Sequence, residues 1–108
     1  MIPIEVEEVQ NAIQGLTDKD LYIHLETTGG AYTKNSVSAY IRNAVVRFTD
    51  GRIKGAGPYR VGLKMEHGWI YAEGLTHWEL DDQKRLLLAG YDDAGRLTVA
   101  LQLSAEPF

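Results

Sequence analysis

Cysteine is absent from this chain of 108 residues. Without it there is no disulfide framework, no thiolate nucleophile, and no zinc or iron–sulfur site held by cysteine. Long apolar runs are also missing, because no segment approaches the roughly 20 residues that a membrane helix needs. The acidic N-terminus lacks the basic and apolar regions of a secretory signal. These absences predict a cytoplasmic protein that makes no contact with a membrane.

Two catalytic motifs are missing as well. The sequence contains neither a Gly-x-Ser-x-Gly nucleophile elbow nor a phosphate-binding Gly-x4-Gly-Lys-Ser/Thr loop. With 44% hydrophobic and 24% charged residues, the composition is that of an ordinary globular domain. The length then indicates a single domain over residues 1–108.

Basic residues are concentrated in one segment. The net charge of −4 argues against nucleic-acid binding, which needs clustered lysine and arginine. Residues 34–64 nevertheless carry seven basic side chains and one acidic side chain. This segment forms either solvated strand faces or a face that binds an anion or an acidic partner. The candidates for such a face are Arg47, Lys54, Arg60 and Lys64.

Residues 3–16 are predicted to form one helix, because apolar residues recur there at spacings of three and four. Gly15 is expected to end this helix in the left-handed conformation. After residue 20 the apolar residues alternate with polar ones, as in strands that are buried on one side. The turn signals are a strand end at Gly29-Gly30 and two-residue hairpin turns at Asp50-Gly51 and His67-Gly68.

These hairpin turns define expected registers. A turn at Asp50-Gly51 places Arg47 opposite Lys54, and a turn at His67-Gly68 places Met65 opposite Ile70. In the second hairpin Tyr71 falls beside Lys64 and diagonally near Gly62, so that its ring could cover the glycine while the cation lies near the ring face.

The last third of the chain has a short internal similarity between segments 81–86 and 92–97, which predicts two successive hairpin turns. A four-residue loop at 92–95 pairs Leu88 with Val99. Trp78 joins the same face only if the loop near Asp82 to Lys84 has an odd length. The total is about eight strands and one helix. We therefore predict an all-β sandwich or barrel-like sandwich over residues 20–104, with helix 3–16 closing an open end or edge.

Histidines and carboxylates are the remaining candidates for chemistry. His24 and Glu26 share one strand face, and Glu73 and His77 share another if no bulge intervenes. If all four converge, they could bind a small ligand or a divalent metal or act as an acid–base pair. Otherwise they form hydrogen-bonded structural pairs, which is the outcome we expect. Trp69, Tyr71 and Trp78 pose a similar choice between a sugar-stacking platform and ordinary packing.

Four stretches resemble the YojF-like family of small uncharacterised bacterial proteins: residues 22–28 (YIHLETT), 60–64 (RVGLK), 69–77 (WIYAEGLTH) and 86–90 (LLLAG). The resemblance implies a β-sandwich fold and a bacterial cytoplasmic protein. It brings no activity and no catalytic residues. Genes of this family are associated with a deacetylase of bacillithiol synthesis, which implies an accessory role beside that enzyme.

Three functional hypotheses follow. The first is a non-enzymatic accessory or binding domain that works with a partner protein and needs no cofactor. The second is an enzyme that acts on a small ligand or uses a metal, centred on His24, Glu26, Glu73 and His77. The third is a self-associating domain whose exposed strand edges pair in a homodimer.

Overall fold

The computed structural model describes residues 1–28 and 37–108. These residues form one helix, α1 (Val6–Gln14), and nine strands: β1 (Ile2–Pro3), β2 (Leu21–Thr28), β3 (Val37–Val46), β4 (Phe48–Gly55), β5 (Tyr59–Met65), β6 (Trp69–Leu75), β7 (His77–Leu80), β8 (Leu86–Tyr91) and β9 (Leu97–Ser104). The expected turn at Gly29-Gly30 and the first basic residue of the central segment, Lys34, lie outside the described residues.

The described strands form two antiparallel sheets. Sheet A has the order β1-β7-β8-β9-β2-β3, and sheet B has the order β4-β5-β6. Phe48 and Leu63 of sheet B share one hydrophobic cluster with Leu88 and Leu101 of sheet A, and all four side chains are fully buried. The predicted all-β sandwich with an N-terminal helix is therefore confirmed.

Helix α1 is shorter than the predicted segment 3–16. Pro3 belongs to β1 and pairs with His77 of β7, so the helix begins only at Val6. At its other end Gly15 has a right-handed conformation with φ −67°, and the left-handed residue is Asp18 in the following turn. The prediction of a left-handed Gly15 is therefore wrong.

Helix α1 closes the edge of sheet B that is formed by β4. Gln10 donates its amide N–H to the carbonyl of Gly51 at 2.8 Å and accepts the backbone N–H of Ile53 at 3.0 Å. Its side-chain amide thus takes the place of a peptide group from a neighbouring strand. The expectation that the helix closes an open edge is met by this contact.

The predicted hairpin at Asp50-Gly51 is wrong. Strand β4 runs straight through both residues, and Gly51 pairs with Leu63 of β5. A Cβ atom at Gly51 would overlap Cγ2 of Ile13, so this glycine is needed where the helix packs on the strand. Arg47 consequently does not lie opposite Lys54, whose partner in β5 is Arg60.

The turn at His67-Gly68 is present, but its register differs by two residues from the predicted one. Met65 donates its N–H to the carbonyl of Gly68 at 3.0 Å, and Leu63 rather than Met65 lies opposite Ile70. Because side chains alternate with a period of two, a shift of two residues leaves residues 61–65 and 69–72 on their predicted faces. A further register shift between Tyr59 and Val61 ends this agreement, and Leu75 is buried in the core.

The two similar segments of the last third form two similar turns. In the first, Asp81 Oδ1 accepts the backbone N–H groups of Gln83 and Arg85, and its Oδ2 accepts the Nε–H of Arg85. Asp92 makes the equivalent bonds to Ala94 and Arg96. Each Asp-to-Arg loop spans five residues, 81–85 and 92–96.

The odd length of the first loop brings Trp78 opposite Leu88, as predicted. The predicted pairing of Leu88 with Val99 is wrong, because Leu88 lies opposite Leu101. A register shift between Gly90 and Tyr91 accompanies the longer second loop.

Candidate functional site

The four residues of the proposed histidine and carboxylate site are distributed over both sheets. His24 and Glu26 lie on β2 and His77 on β7 in sheet A, whereas Glu73 lies on β6 in sheet B. Strands β8 and β9 separate His77 from Glu26, which corresponds to about 14 Å at the usual strand spacing. Within residues 1–28 and 37–108, no three His, Asp or Glu side chains are grouped so as to hold a metal ion. The four side chains do not converge on one point.

His24 is buried beneath the C-terminal residue. Its exposed fraction is 8%, its Nε2 lies 3.4 Å from Glu26 Oε1, and its ring meets Phe108 edge-on at 6.3 Å between centroids. Asn43 holds the backbone of Phe108 through two hydrogen bonds. His24 Nδ1 has no hydrogen-bond partner among the described residues. These contacts form a packed His–Glu pair under a chain end.

His77 and Glu73, the other two residues of the proposed histidine and carboxylate site, each contact a different partner. His77 Nδ1 lies 2.7 Å from the hydroxyl of Thr76, and its ring meets Tyr91 edge-on. Glu73 lies 3.6 Å from Arg60 across sheet B. Each of these side chains is held by a local contact, and a role in ligand binding for any of them stays a prediction.

The outward side of sheet B gathers a different set of chemically active side chains. We call it the basic–aromatic face; it consists of Arg52, Lys54, Arg60, Lys64, Trp69 and Tyr71. The register places Lys64 opposite Trp69, Gly62 opposite Tyr71, and Lys54 opposite Arg60. The alternate residues of the same strands, such as Val61 and Leu63, point into the core. The alternation that builds the core therefore also builds this face.

The aromatic rings of this face hold its cations. Trp69 and Tyr71 are stacked, with 5.4 Å between ring centroids and an interplanar angle of 8°. The Arg60 guanidinium lies 5.3 Å from the Tyr71 centroid, and Lys64 Nζ lies 5.9 Å from the Trp69 centroid. Cations at these distances are attracted by the ring quadrupole. The four side chains form a ladder in which each ring touches the other ring and a cation.

Gly62 makes room for the ladder. A Cβ atom at this position would lie 3.0 Å from the Tyr71 ring, which is tighter than nine in ten real Cβ contacts. The prediction that Tyr71 covers this glycine is confirmed, although the two residues are directly opposite and the cation at the ring is Arg60.

Two cations of the face lack an acidic partner. Arg52 lies 3.3 Å from Asp50, and Arg60 contacts Glu73. Within the described part of the chain, Lys54 and Lys64 have no carboxylate within 4.0 Å. Both lysines are exposed. The face therefore keeps an uncompensated positive charge although the chain as a whole is negative.

The surface around these cations is concave. A cavity of about 130 Å³ is lined by Arg52, Lys54, Arg60, Gly62, Trp69 and Tyr71. A second cavity of about 360 Å³ shares Lys54 and Arg60 with the first and extends to Tyr59 and Gly74. Lys54 and Arg60 thus border both depressions of the face.

Arg47, the fourth candidate of the predicted basic face, lies elsewhere. It stands between β3 and β4 and contacts Asp20 at 3.4 Å. Sequence reasoning missed Arg52 in its place. The signal was the alternation of Arg52 and Lys54 with Ile53, which identifies one strand face once residues 50 and 51 are assigned to the strand and not to a turn.

Trp78 does not belong to the aromatic group of the face. It is buried in the core with Leu88 opposite, and its Nε1 has no hydrogen-bond partner among the described residues. A platform of all three aromatic residues is therefore not formed. The faces of the other two rings are in contact with each other and with cations.

These features define a small antiparallel β-sandwich with one helix and a basic–aromatic surface on its smaller sheet. The chain belongs to the family described as "Protein of unknown function (DUF1806)", whose family model matches residues 3–108. The resemblance inferred from sequence is thereby confirmed.

The relatives carry no described activity. The chain is 53% identical to "Uncharacterized protein YojF" of Bacillus subtilis (strain 168), in an alignment that covers 94% of this chain and 93% of the relative. The crystal structure of the Bacillus subtilis YojF protein matches with a TM-score of 0.88 and 52% identity, and the match covers 98% of this chain and 94% of that one. In the described residues, no helix is long and apolar enough to cross a membrane.

Proposed function

We propose that this protein is a non-enzymatic accessory domain that binds an acidic segment of a partner protein through the basic–aromatic face. The observation that carries the proposal is the pair of exposed lysines, Lys54 and Lys64, that lack a carboxylate within 4.0 Å in the described chain. An acidic partner supplies the missing negative charge, and complementary charge speeds association and selects the partner.

The ladder explains why this face suits a protein partner. Trp69 and Tyr71 use contacts with each other, Arg60 and Lys64, so their rings fix the positions of the cations. A cation that is already held in place loses less side-chain entropy when it binds a carboxylate. The net charge of −4 repels a nucleic-acid backbone at long range, whereas a local acidic segment needs only the local field of the face.

The family resemblance supplies a candidate partner. Association with a deacetylase of bacillithiol synthesis supports a cytoplasmic accessory role beside that enzyme, and the absence of a metal-binding group among the described residues is compatible with such a role. We therefore place this deacetylase first among the partners to be tested.

Binding of the purified deacetylase to three forms of the full chain tests the proposal. The forms are the natural protein, Lys54→Gln with Lys64→Gln, and a control with Lys19→Gln and Lys84→Gln, which removes the same charge away from the face. We expect the first double variant to weaken binding by roughly tenfold or more and to flatten its salt dependence. The control should bind like the natural protein.

If both double variants lost the same amount of binding affinity, only net charge would matter. If neither lost affinity, this face would be excluded as the binding site. If the deacetylase does not bind, the same three forms are compared with an oligo-glutamate peptide, which tests the face without that partner. Stoichiometric metal in the purified protein would instead favour the alternative hypothesis of a metal-dependent enzyme.

A further inference from the structure

Strand β3 forms an edge of sheet A with an unusual amount of exposed apolar surface. Among residues 1–28 and 37–108, β2 is its only strand neighbour. Tyr40, Ile41 and Val45 are exposed by 63%, 48% and 58%. Tyr40 and Val45 lie on the outer side of the sheet, whereas Ile41, opposite Leu25, lies on the side of the core. Apolar residues on both sides are typical of a strand that is covered on both faces.

Two of the other three sheet edges in the described chain, β4 and β1, are protected. Gln10 of α1 bonds to the free edge of β4. The opposite edge of sheet A is β1, which has only two residues, one of them a proline. Short strands, proline and covering helices are the usual means of blocking edge pairing. Strand β3 has ten residues, and α1 packs mainly against β4.

We infer that β3 pairs antiparallel with β3 of a second copy of this chain, about a two-fold axis at Ile41. A two-fold axis maps the strand onto itself, so each choice of axis dictates the facing residues. With the axis at Ile41, the two Ile41 side chains meet, and Tyr40 of each copy faces Arg42 of the other. With the axis at Arg42, two arginines would face each other, which is unfavourable.

Charge complementarity supports a second copy as the occupant. Arg42 has no carboxylate within 4.0 Å among the described residues. In the proposed pair, Arg42 of the second copy enters the row that contains Tyr40 and Glu26, since these two residues are direct neighbours across β2 and β3. An arginine beside a tyrosine ring also occurs in sheet B, where Arg60 lies 5.3 Å from the Tyr71 centroid. Strand β3 therefore carries both the tyrosine and the arginine that this contact needs.

The bulge in β3 limits the pairing to a short segment. Asn43 has φ 60°, and the register with β2 shifts at this point. Bulges re-aim an edge and end regular pairing. The segment that pairs around Ile41 therefore ends near Asn43, and Val45 lies beyond it. This gives the interface a definite centre that an experiment can locate.

The lack of cysteine makes that experiment simple. Single-cysteine variants Ile41→Cys, Val45→Cys and Leu80→Cys of the full chain are oxidised mildly, and the covalent dimer is measured on a non-reducing gel. Leu80 is the matched control for Ile41, because their exposures are 50% and 48% and Leu80 lies on β7, on the far side of sheet A from β3. We expect the Ile41 variant to form at least about five times more covalent dimer than the other two, because only its sulfur atoms face each other.

Light scattering of the cysteine-free chain over a range of concentrations provides the second measurement. The natural protein should show a dimer that dissociates on dilution. Ile41→Lys should raise its dissociation constant by about tenfold or more, whereas Leu80→Lys should leave it unchanged. Circular dichroism verifies that each variant is folded. A natural protein that stays monomeric, or cross-linking that is equal at all three positions, would overturn the inference.

Discussion

At the scale of single residues, some glycines are required by a close contact and not by a turn. Gly51 lies under Ile13 of α1, and a Cβ atom there would also come within 3.1 Å of Leu63. The sequence suggested a turn at this position because Asp-Gly is a common hairpin signal. The contact between helix and strand that actually requires the glycine is not visible in the local sequence.

Gly51→Ala should therefore destabilise the protein by about 1 to 3 kcal/mol, because the added methyl group overpacks the contact between α1 and β4. The denaturant midpoint measures the effect. Gly15→Ala is the control, since its Cβ would meet only ordinary contacts at 3.5 Å or more and its φ is −67°. If both variants had the same midpoint, the proposed packing of α1 on Gly51 would be wrong.

Two aspartates make the stability of the fold depend on pH. Burial acts to raise the pKa of Asp81, but hydrogen bonds and charge from Arg85 outweigh it, so the pKa lies below the ordinary 3.8. The backbone N–H of Arg96 is the main cause of the lowered pKa of Asp92. Because the folded pKa is the lower one, the ionised carboxylates stabilise the fold above about pH 4, and this stabilisation is lost as the pH falls through the folded pKa.

Asp92→Asn should lower the denaturant midpoint near neutral pH, while the difference from the natural protein should shrink as the pH falls below about 4. Unfolding curves over this pH range measure it. Asp93→Asn is the matched control, because its carboxylate takes no part in the hydrogen bonds that close this turn. A constant difference at every pH would contradict the role assigned to the charge of Asp92.

At the scale of elements, the tie between α1 and β4 shows what periodicity can and cannot predict. The spacing of Val9 and Ile13 predicted a helix with one buried side, and both residues are fully buried. Gln10, beside them in the sequence, gave no signal, because a glutamine on a helix is normally solvated. Its function as a substitute strand partner depends on where β4 lies, which follows only from the tertiary structure.

Gln10→Ala should destabilise the protein by about 1 to 3 kcal/mol, because it leaves the carbonyl of Gly51 and the N–H of Ile53 without their partner. Gln14→Ala is the control, being the same substitution on an exposed position of the same helix. Hydrogen exchange gives a specific readout, since the Ile53 amide should exchange faster in the first variant only. Unchanged exchange at Ile53 would contradict the edge-closing role of Gln10.

At the scale of the whole molecule, the alternation of apolar and polar residues predicted the face on which a side chain lies. It did not predict which strands are neighbours. Turn signals placed the hairpin at His67-Gly68 correctly, and a shift of two residues kept Tyr71 over Gly62. The histidine and carboxylate group required β2 and β6 to be neighbours, but β2 lies in sheet A and β6 in sheet B. Strand order is a long-range property that one sequence does not reveal, whereas the face of a single hairpin is local.

The same argument explains the basic–aromatic face. Lys64, Trp69 and Tyr71 lie on one hairpin, so the sequence predicted their common side. Arg47 was included only because the turn at residues 50 and 51 was misassigned, and the strand register replaces it with Arg52. The central claim of this account is that an acidic protein segment binds the corrected face.

The most direct test is an NMR titration of the isotopically labelled full chain with an oligo-glutamate peptide. Trp69 and Trp78 are the two tryptophans, and one lies on the face while the other is buried, so their indole N–H signals compare the two environments within one sample. The account predicts shifts at the Trp69 indole and the Gly62 amide that vanish with added salt, while the Trp78 indole stays unchanged. Signals that shift only in sheet A around His24 would contradict the account. So would the absence of any shift at low salt, where exposed charges attract each other most strongly.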